Sequence, residues 1–258
     1  GTKESVPRLT REAVLQFYQT HYRPNNSILA VVGDITVEEI RGKIIPHFIN
    51  WPMAEIPKVP FASAFANERK MIKIDRGITQ ANIILGHAGI SRDNPDYYPV
   101  TVMNYILGSG GFSSRLVEEI RIKRGLAYSV MSYFDAGKYP GSFQIVLQTK
   151  NSSTREAISI ALQEMERIRK DPVSEKELEE AKKYLIGSFP LILDTHGKLA
   201  SFITAIEYHG LGLDYASRYP SLIQSVTKED VLRVAQKYLF PEKTIQVVVA
   251  NLKEAGMD

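Results

Sequence analysis

Two amphipathic stretches and one run of apolar and small residues occupy the first fifty positions. Thr10 is a candidate N-cap for a helix that ends near His21. The run Ser27–Gly33 is typical of a buried strand. Thr36, with a glutamate three residues later, forms a capping box that predicts a second helix to about Ile49. The apolar face of the first helix comprises Val14, Leu15, Phe17 and Tyr18.

A stretch rich in proline and small residues follows. The prolines and alanines between Trp51 and Ala64 interrupt both periodic patterns, which predicts a linker. We therefore expect three segments. Residues 1–50 form a helix–strand–helix element, residues 51–67 a linker, and residues 68–258 a complete domain.

Strands and helices both recur beyond this linker. Phe143, Ile145 and Leu147 alternate with other positions, two of which are glutamine, and this two-residue period is typical of a half-buried strand. Strands are grouped in hairpins and helices follow in groups. We therefore expect an α+β fold with helices packed on one face of a largely antiparallel sheet. The predicted strands are 70–75, 80–87, 127–134, 143–149 and 244–250.

The beginning and the end of the chain resemble each other. Thr10–Val32 aligns without a gap with Thr227–Val249, and both copies read as a capped helix, a proline and a buried strand. Chance similarity between two capped helices is the alternative. If the repeat is real, each copy closes a homologous unit, and the rest of the first unit is expected upstream, outside this chain. The identical positions in the first copy are Thr10, Glu12, Val14, Leu15, Gln19, Pro24, Ile28, Val31 and Val32.

The composition is that of an ordinary globular protein. Of 258 residues, 44% are hydrophobic and 24% charged, and the net charge is +3. We therefore expect neither nucleic acid nor a membrane as a partner. Cysteine is absent, which excludes disulfides, thiolate zinc sites and cysteine nucleophiles and leaves the cellular compartment open. A nucleic-acid module is the weakest alternative, because no aromatic RNA-binding motif accompanies the basic residues Arg115, Arg121, Lys123 and Arg124.

The histidines do not have the spacing of a zinc helix. None has a second histidine three or four residues away, so neither H-E-x-x-H nor H-x-x-E-H occurs. A zinc helix needs two ligands on one face. We therefore expect no metal site and no resident cofactor in this chain. The histidines are His21, His47, His87, His196 and His209.

A glycine-rich turn precedes a charged helix. Gly108, Gly110 and Gly111 look superficially like a phosphate cradle, but no Lys-Ser/Thr pair follows and a helix, not a strand, precedes them. Ser113 and Ser114 are the candidate caps of the charged helix. Ion pairs are expected on the surface of the helix that follows. They join Glu118 and Glu119 to Arg115 and Lys123.

Arg121 and Tyr128 form the remaining candidate site. Arg121 lies in the last turn of the predicted helix, and Tyr128 opens the next strand. A helix-to-strand corner can direct both side chains to one region, where a charged and a neutral donor suit peptide carbonyls or an oxyanion. The alternative is an ordinary C-terminal cation and a sheet tyrosine.

Three segments carry a family resemblance. Residues 104–116 and 121–129 resemble the second half of the insulinase, pitrilysin and mitochondrial-processing-peptidase family. Residues 22–34 resemble the end of that family's first half. The resemblance covers almost the whole chain and implies two homologous α+β halves that face each other as a clamshell, on one chain or on two subunits.

The resemblance also implies a division of labour. The active half carries H-x-x-E-H and zinc, and the other half supplies an arginine and a tyrosine seven residues apart, the spacing of Arg121 and Tyr128. Gly108, Gly110, Gly111 and Ser113 are then expected at the substrate site. The chain would be the inactive, peptide-binding half of a zinc endopeptidase. Its partners would be the upstream half or a homologous subunit, and a homo-oligomer is possible. A non-catalytic scaffold on the same fold is the alternative.

Overall fold

The computed structural model describes residues 1–58 and 68–258. The chain divides into two compact units. One comprises the described part of Gly1–Ala62 together with Pro190–Tyr215, and the other comprises the described part of Ser63–Phe189 together with Ala216–Asp258. Most of the predicted linker, residues 59–67, lies outside the described residues, and the predicted domain boundaries stay a prediction.

The second unit contains a five-stranded sheet. Its strand order is β1-β5-β2-β4-β3. The β1–β5 pair is parallel and the other pairs are antiparallel, as expected for a largely antiparallel sheet. All five strands lie within a residue of their predicted bounds. They are β1 Lys70–Asp75, β2 Gln80–Ala88, β3 Ala127–Phe134, β4 Ser142–Lys150 and β5 Ile245–Ala250.

Local capping signals begin several of the helices. The Thr10 hydroxyl accepts a hydrogen bond from the Ala13 amide, and complete capping boxes start at Ser174 and Thr227. No helix in the described ranges combines the length and apolar character needed to cross a bilayer. The helices are α1 Arg11–His21, α2 Val37–Glu39, α3 Tyr97–Asn104, α4 Thr154–Lys170, α5 Glu175–Ser188, α6 His196–His209, α7 Tyr215–Gln224 and α8 Lys228–Tyr238.

The core of the second unit lies between one face of the sheet and its helices. Side chains along β2, β4 and β5 alternate between buried and less buried positions, so each strand turns one side to the core. Helix α3 contacts β3, helix α4 contacts β4, and α8 packs against both helices. The α+β class with helices on one face of the sheet is thereby confirmed. The fully buried strand residues include Ala81, Leu85, Phe143, Ile145 and Val248.

The first unit departs from two expectations. Ser27–Gly33 is not a strand: it pairs with no strand in the described part of the chain, and Leu29 is 62% exposed. A strand needs a hydrogen-bonding neighbour, and none is available to it here. The second predicted helix is also irregular. It starts as α2, continues as the π-helical turn Ile40–Ile44 and ends as the 3-10 turn Ile45–His47.

Candidate functional site

The glycine-rich turn begins where α3 meets β3. The α3 helix continues as a π-helical segment, Tyr105–Ser109. Beneath it, the buried Asn104 amide donates to the Ser132 carbonyl at 3.2 Å and accepts from the Ser132 hydroxyl at 2.7 Å. Gly108 lies against the same strand, because an added Cβ would sit 2.7 Å from the Ser132 backbone nitrogen. A glycine is therefore needed for this close approach of helix and strand.

The same turn changes direction at its next glycines. Gly110 packs under the Tyr105 carbonyl, where an added Cβ would lie at 2.7 Å. Gly111 adopts a positive φ of 55° and starts a 3-10 turn that ends at Ser113. Among the predicted substrate-binding positions, Gly111 and Ser113 are exposed and Gly108 is buried. Whether these residues bind substrate stays a prediction, but two of the glycines have a packing reason of their own.

A second corner leads from helix to β3. The π-helical segment Val117–Ile122 contains Arg121, and Gly125, at a φ of 60°, turns the chain towards the strand. The Leu126 amide donates to the Ile120 carbonyl at 2.9 Å and closes the turn. Arg121 is thus held one tight turn before β3 begins.

Tyr128 occupies a β-bulge. Ala127 pairs with Thr149 and Ser129 pairs with Gln148, so Tyr128 has no partner position on β4. The side chain is 80% exposed. A bulge changes the direction of a side chain and is common beside functional sites. The bulge therefore explains why a strand tyrosine at this corner projects into solvent.

Arg121 and Tyr128 lie side by side in the structure, and a third residue joins them. The Arg121 guanidinium carbon lies over the Tyr128 ring at 4.9 Å from its centre and over the Phe112 ring at 4.7 Å. Both distances are within the range of cation–π attraction. In the described parts of the chain, neither the Arg121 guanidinium nor the Tyr128 hydroxyl has a hydrogen-bond partner or an ion-pair partner.

Sequence reasoning missed Phe112. An aromatic residue directly after a glycine-rich turn was the available signal, since glycines let such a turn present its next side chain to solvent. Phe112 is indeed 68% exposed. We call Phe112, Arg121 and Tyr128 the aromatic–arginine cluster.

The other basic residues near the cluster are neutralised. Lys123 and Arg124 both bind the Glu119 carboxylate, at 2.7 and 2.5 Å. The hydrogen bond from Lys123 is the largest cause of the lowered pKa of Glu119. Arg115 pairs with neither Glu118 nor Glu119, contrary to the prediction, because it reaches across to α5 and binds Glu177 through two hydrogen bonds, at 2.6 and 3.2 Å.

This cross-link holds the turn in place. Arg115 is buried, and its planar guanidinium matches a carboxylate with two parallel bonds. Burial by itself raises the pKa of Glu177, but hydrogen bonds from Arg115 and Ser174 outweigh it and lower the pKa to about 2. Arg121 therefore differs from Arg115, Lys123 and Arg124 in having its charge free.

An open sheet edge adjoins the cluster. The β3 strand ends the sheet, and its outer edge pairs with no strand in the described residues. The face of the sheet opposite the helices carries one apolar position from each strand in register. This row consists of Ile72, Val247, Ile84, Val146 and Met131. The free backbone groups of such an edge and an adjacent apolar row are the features by which sheets accept an extended peptide.

Residues 8–185 match the family described as the peptidase M16 inactive domain. The chain belongs to this family. The recognised family and its second, zinc-free half are thereby confirmed. Among the described residues of this M16 inactive domain, no three histidine, aspartate or glutamate side chains gather where they could hold a metal ion. His87 is buried, its Nδ1 is hydrogen-bonded to the Ala88 carbonyl and its Nε2 accepts from the Phe240 amide, so it does not fit the role of a zinc ligand.

Known proteins resemble the M16 inactive domain over almost its full length. A protein of Streptomyces coelicolor named "Uncharacterized zinc protease SCO5738" is 29% identical over 96% of this chain and 55% of its own length. A Helicobacter pylori protein named "Non-peptidase homolog YmxG" is 26% identical over 98% of this chain and 59% of its own length. The crystal structure of a peptidase M16 inactive domain from Pseudomonas fluorescens superposes with a TM-score of 0.89 at 28% identity. The match covers 97% of this chain and 59% of the Pseudomonas fluorescens chain. The chain thus spans somewhat more than half the length of these relatives.

Proposed function

We propose that this chain is the peptide-binding half of a zinc-dependent endopeptidase and that Arg121 and Tyr128 contact the substrate backbone. The observation that carries the proposal is the half-buried, unneutralised Arg121 beside the free hydroxyl of the exposed Tyr128. A surface that binds peptide carbonyls needs donors that are not already used within the protein. Zinc chemistry would belong to the other half, because residues 1–58 and 68–258 of this chain bring no three potential ligands together at a metal site.

The two donors have different roles. The Arg121 guanidinium carries a positive charge and five N–H donors in a rigid fork, which suits the binding of one or two carbonyl oxygens. The Tyr128 hydroxyl is neutral and can donate to an oxygen on which negative charge develops. Arg121 therefore contributes mainly to substrate binding and Tyr128 mainly to turnover.

An extended peptide is the substrate conformation that this surface favours. The unpaired edge of β3 offers backbone donors and acceptors next to Tyr128. The apolar row that ends at Met131, itself 50% exposed, would contact alternate side chains of the bound strand. Short or unfolded polypeptides meet this requirement, whereas folded proteins do not present a free strand.

The repeat supports a homologous partner half. Val231 and Val234 of α8 are fully buried, whereas the aligned Val14 and Phe17 of α1 are 58% and 59% exposed. The β5 strand lies between a parallel and an antiparallel neighbour, whereas the aligned residues 28–33 have none in the described chain. A partner with the same architecture would supply two flanking strands and a helical surface for α1.

An apolar cleft lies beside these unpaired residues. It has a volume of about 380 Å³. Its lining consists of Pro24, Ser27, Ile28, Leu29, Ile45, Phe48, Ile49 and Trp51. Exposed apolar surface of this kind is typical of a protein–protein interface. We therefore propose that residues 1–50 complete the sheet of the zinc-binding half or of a homologous subunit.

A non-catalytic scaffold is the second candidate. It is favoured by the name of the Helicobacter pylori relative, which is a non-peptidase homologue. The two candidates differ in the upstream sequence, because an intact H-x-x-E-H favours the peptidase and its loss favours the scaffold.

Peptide binding and metal content of the purified chain test the proposal. We expect an unstructured, fluorescently labelled peptide to bind, Arg121→Ala to weaken binding, and Arg124→Ala to leave it unchanged. We also expect no stoichiometric zinc and no cleavage of a fluorogenic peptide until the zinc-binding half is added. Peptide cleavage by the chain alone would contradict the proposal, and so would a peptide affinity that is unchanged in Arg121→Ala.

A further inference from the structure

Phe112 is an exposed aromatic residue on a firmly anchored turn. Its side chain is 68% exposed, although a phenylalanine normally gains stability by burial. The turn beneath it is held by the Ser114 hydroxyl, which donates to the Gly111 carbonyl at 2.7 Å, and by the Ser113 amide, which donates to the Gly110 carbonyl at 3.2 Å. An exposed ring on such a turn is held in position without being packed in a core.

The backbone of Gly111 sets the direction of this ring. Gly111 has a φ of 55°, and an added Cβ would meet no atom within 4 Å. The glycine is therefore required by backbone conformation and not by crowding, since a left-handed residue is strained with any side chain. This conformation starts the 3-10 turn in which Phe112 lies over Arg121.

Three separate elements meet at Arg121. Phe112 comes from the glycine-rich turn, Arg121 from the π-helical segment and Tyr128 from the bulge of β3. A free arginine side chain samples many rotamers, and each must be lost when it binds a ligand. Two ring contacts, at 4.7 and 4.9 Å, restrict the guanidinium before a ligand arrives.

The rings leave the donors available. Cation–π contacts use the faces of the rings and the charge of the guanidinium, whereas the N–H groups of arginine point outwards in the guanidinium plane. Phe112 has no polar atom in its side chain and cannot compete for those donors. A carboxylate partner such as Glu177 would restrict the arginine as well, but it would occupy the N–H groups, as it does at Arg115.

We infer that Phe112 is a positioning residue that holds Arg121 ready to bind a peptide carbonyl. The inference rests on the proposed peptide-binding function of Arg121 and adds to it the residue that prepares the arginine. Loss of one ring contact at an exposed site is expected to weaken peptide binding about two- to fivefold.

The test compares the full chain with three variants at exposed positions and uses Arg121→Lys and Arg121→Ala as references. Phe112→Leu keeps an apolar side chain but removes the ring, and Phe112→Tyr restores a ring. Ile122→Ala is the matched control, because Ile122 is 50% exposed on the same helical segment as Arg121 and carries no ring. All three variants are expected to melt within a few degrees of the wild type.

Two measurements are made on these variants. The first is the NMR signal of the Arg121 Nε–H group, assigned by its disappearance in Arg121→Lys. We expect it to shift in Phe112→Leu and to return towards the wild-type position in Phe112→Tyr. The second is peptide affinity in a double-mutant cycle, in which Phe112→Leu weakens binding only while Arg121 is present.

The outcomes separate the two claims. An unchanged Arg121 signal in Phe112→Leu overturns the inference, and so does an equal loss of affinity with and without Arg121, because Phe112 would then contact the peptide by itself. If Arg121→Ala binds peptide as the wild type does, the proposed function itself fails and the inference fails with it. A shifted signal, rescue by tyrosine and coupled affinities together support the positioning role.

Discussion

The guanidinium of Arg121 lies 4.9 Å from the centre of the Tyr128 ring, although a helix end, a glycine turn and a strand start separate the two residues. The contact depends on Gly125, whose left-handed backbone reverses the chain, and on the bulge that turns Tyr128 outwards. Each of these features is local, but the surface they produce carries a charged donor and a neutral donor side by side. The predictions below test this surface and the parts of the fold that hold it.

If this chain is the peptide-binding half of a zinc endopeptidase, as proposed, Tyr128→Phe should lower the turnover of the assembled enzyme without changing its stability. The substitution removes only a hydroxyl that has no partner in the described structure, on a side chain that is 80% exposed. Loss of one donor to a developing oxyanion typically costs about a hundredfold or more in turnover. Steady-state kinetics of the protein joined to its zinc-binding half would measure this.

Tyr133→Phe is the matched control for that experiment. Tyr133 lies on the same strand, but its hydroxyl donates to the Gln144 side chain at 2.7 Å. Turnover should stay near that of the wild type in this variant, with unchanged zinc content in both. Equal activity of the two variants would return Tyr128 to the role of an ordinary sheet tyrosine.

Gly108→Ala should destabilise the second unit. The new Cβ would lie 2.7 Å from the backbone nitrogen of Ser132, which cannot move aside without shifting β3. Overpacking of this kind costs about 1–3 kcal/mol. Gly187→Ala in α5 is the control, because an added Cβ there meets nothing within 4 Å and should raise stability by up to about 1 kcal/mol. Urea unfolding of both variants measures the difference. Similar unfolding midpoints in the two variants would contradict the packing role of Gly108.

Stability should fall as the pH drops from about 6.5 to about 4, because of His87. Burial lowers the pKa of His87 to about 4, with Glu242 opposing and Arg169 adding to the effect. The folded state keeps this histidine neutral while the unfolded state takes up a proton below pH 6.5. The contribution of His87 to the free energy of unfolding is therefore complete above about pH 6.5. It is lost progressively towards pH 4, and the loss amounts to about 3 kcal/mol.

Urea unfolding across this pH range measures the effect. His87→Gln should flatten the dependence between pH 6.5 and 4 and leave the further loss at lower pH. That further loss comes from carboxylates such as Asp96, whose pKa burial raises but hydrogen bonds from Lys237, Tyr238 and Arg233 lower to about 2. Their stabilisation is present above the unfolded pKa and disappears as the pH falls through the folded pKa. An identical pH dependence in wild type and His87→Gln would show that another group titrates.

The isolated chain should self-associate through residues 1–50. Phe17 and Leu29 are 59% and 62% exposed, and the segment 28–33 has no strand neighbour in the described chain. Unpaired apolar segments of this kind tend to find another edge. Light scattering should therefore give a mass that rises with concentration, and a chain that starts at Glu68 should stay monomeric. The double variant Phe17→Glu/Leu29→Glu should stay monomeric like the shorter chain. A full chain that is monomeric at every concentration would contradict the prediction.

Local signals in the sequence were sufficient for most of the second unit. The alternation of Phe143, Ile145 and Leu147 predicted β4 because one face of a strand is enough to reveal a two-residue period. The capping residues Thr10 and Thr227 predicted helix starts because a cap satisfies amides only three residues away. The family followed from the resemblance of residues 22–34, 104–116 and 121–129 to its known members.

Long-range partners were not readable in the same way. The pairing of Arg115 with Glu177 joins residues on two helices, whereas a charge pattern along one helix pointed to Glu118 or Glu119. The exposed position of Phe112 over Arg121 depends on the backbone of Gly111 and on the packing of the turn beneath it. The run Ser27–Gly33 reads as a strand, but a strand exists only where a neighbour supplies its hydrogen bonds.

The sequence by itself determined the α+β class, the five strands, the capped helices, the family and the residue pair Arg121 and Tyr128. The strands and helices follow from side-chain period and from caps within three or four residues, and the pair follows from its position at one helix-to-strand corner. The family follows from the resemblance of three segments to its known members. Only the tertiary structure decided that Arg121 is free of a carboxylate, that Tyr128 leaves the strand through a bulge and that Phe112 lies over the guanidinium. The reason is physical: whether a charge is neutralised or a ring is in contact depends on which elements pack side by side, and sequence distance does not report that.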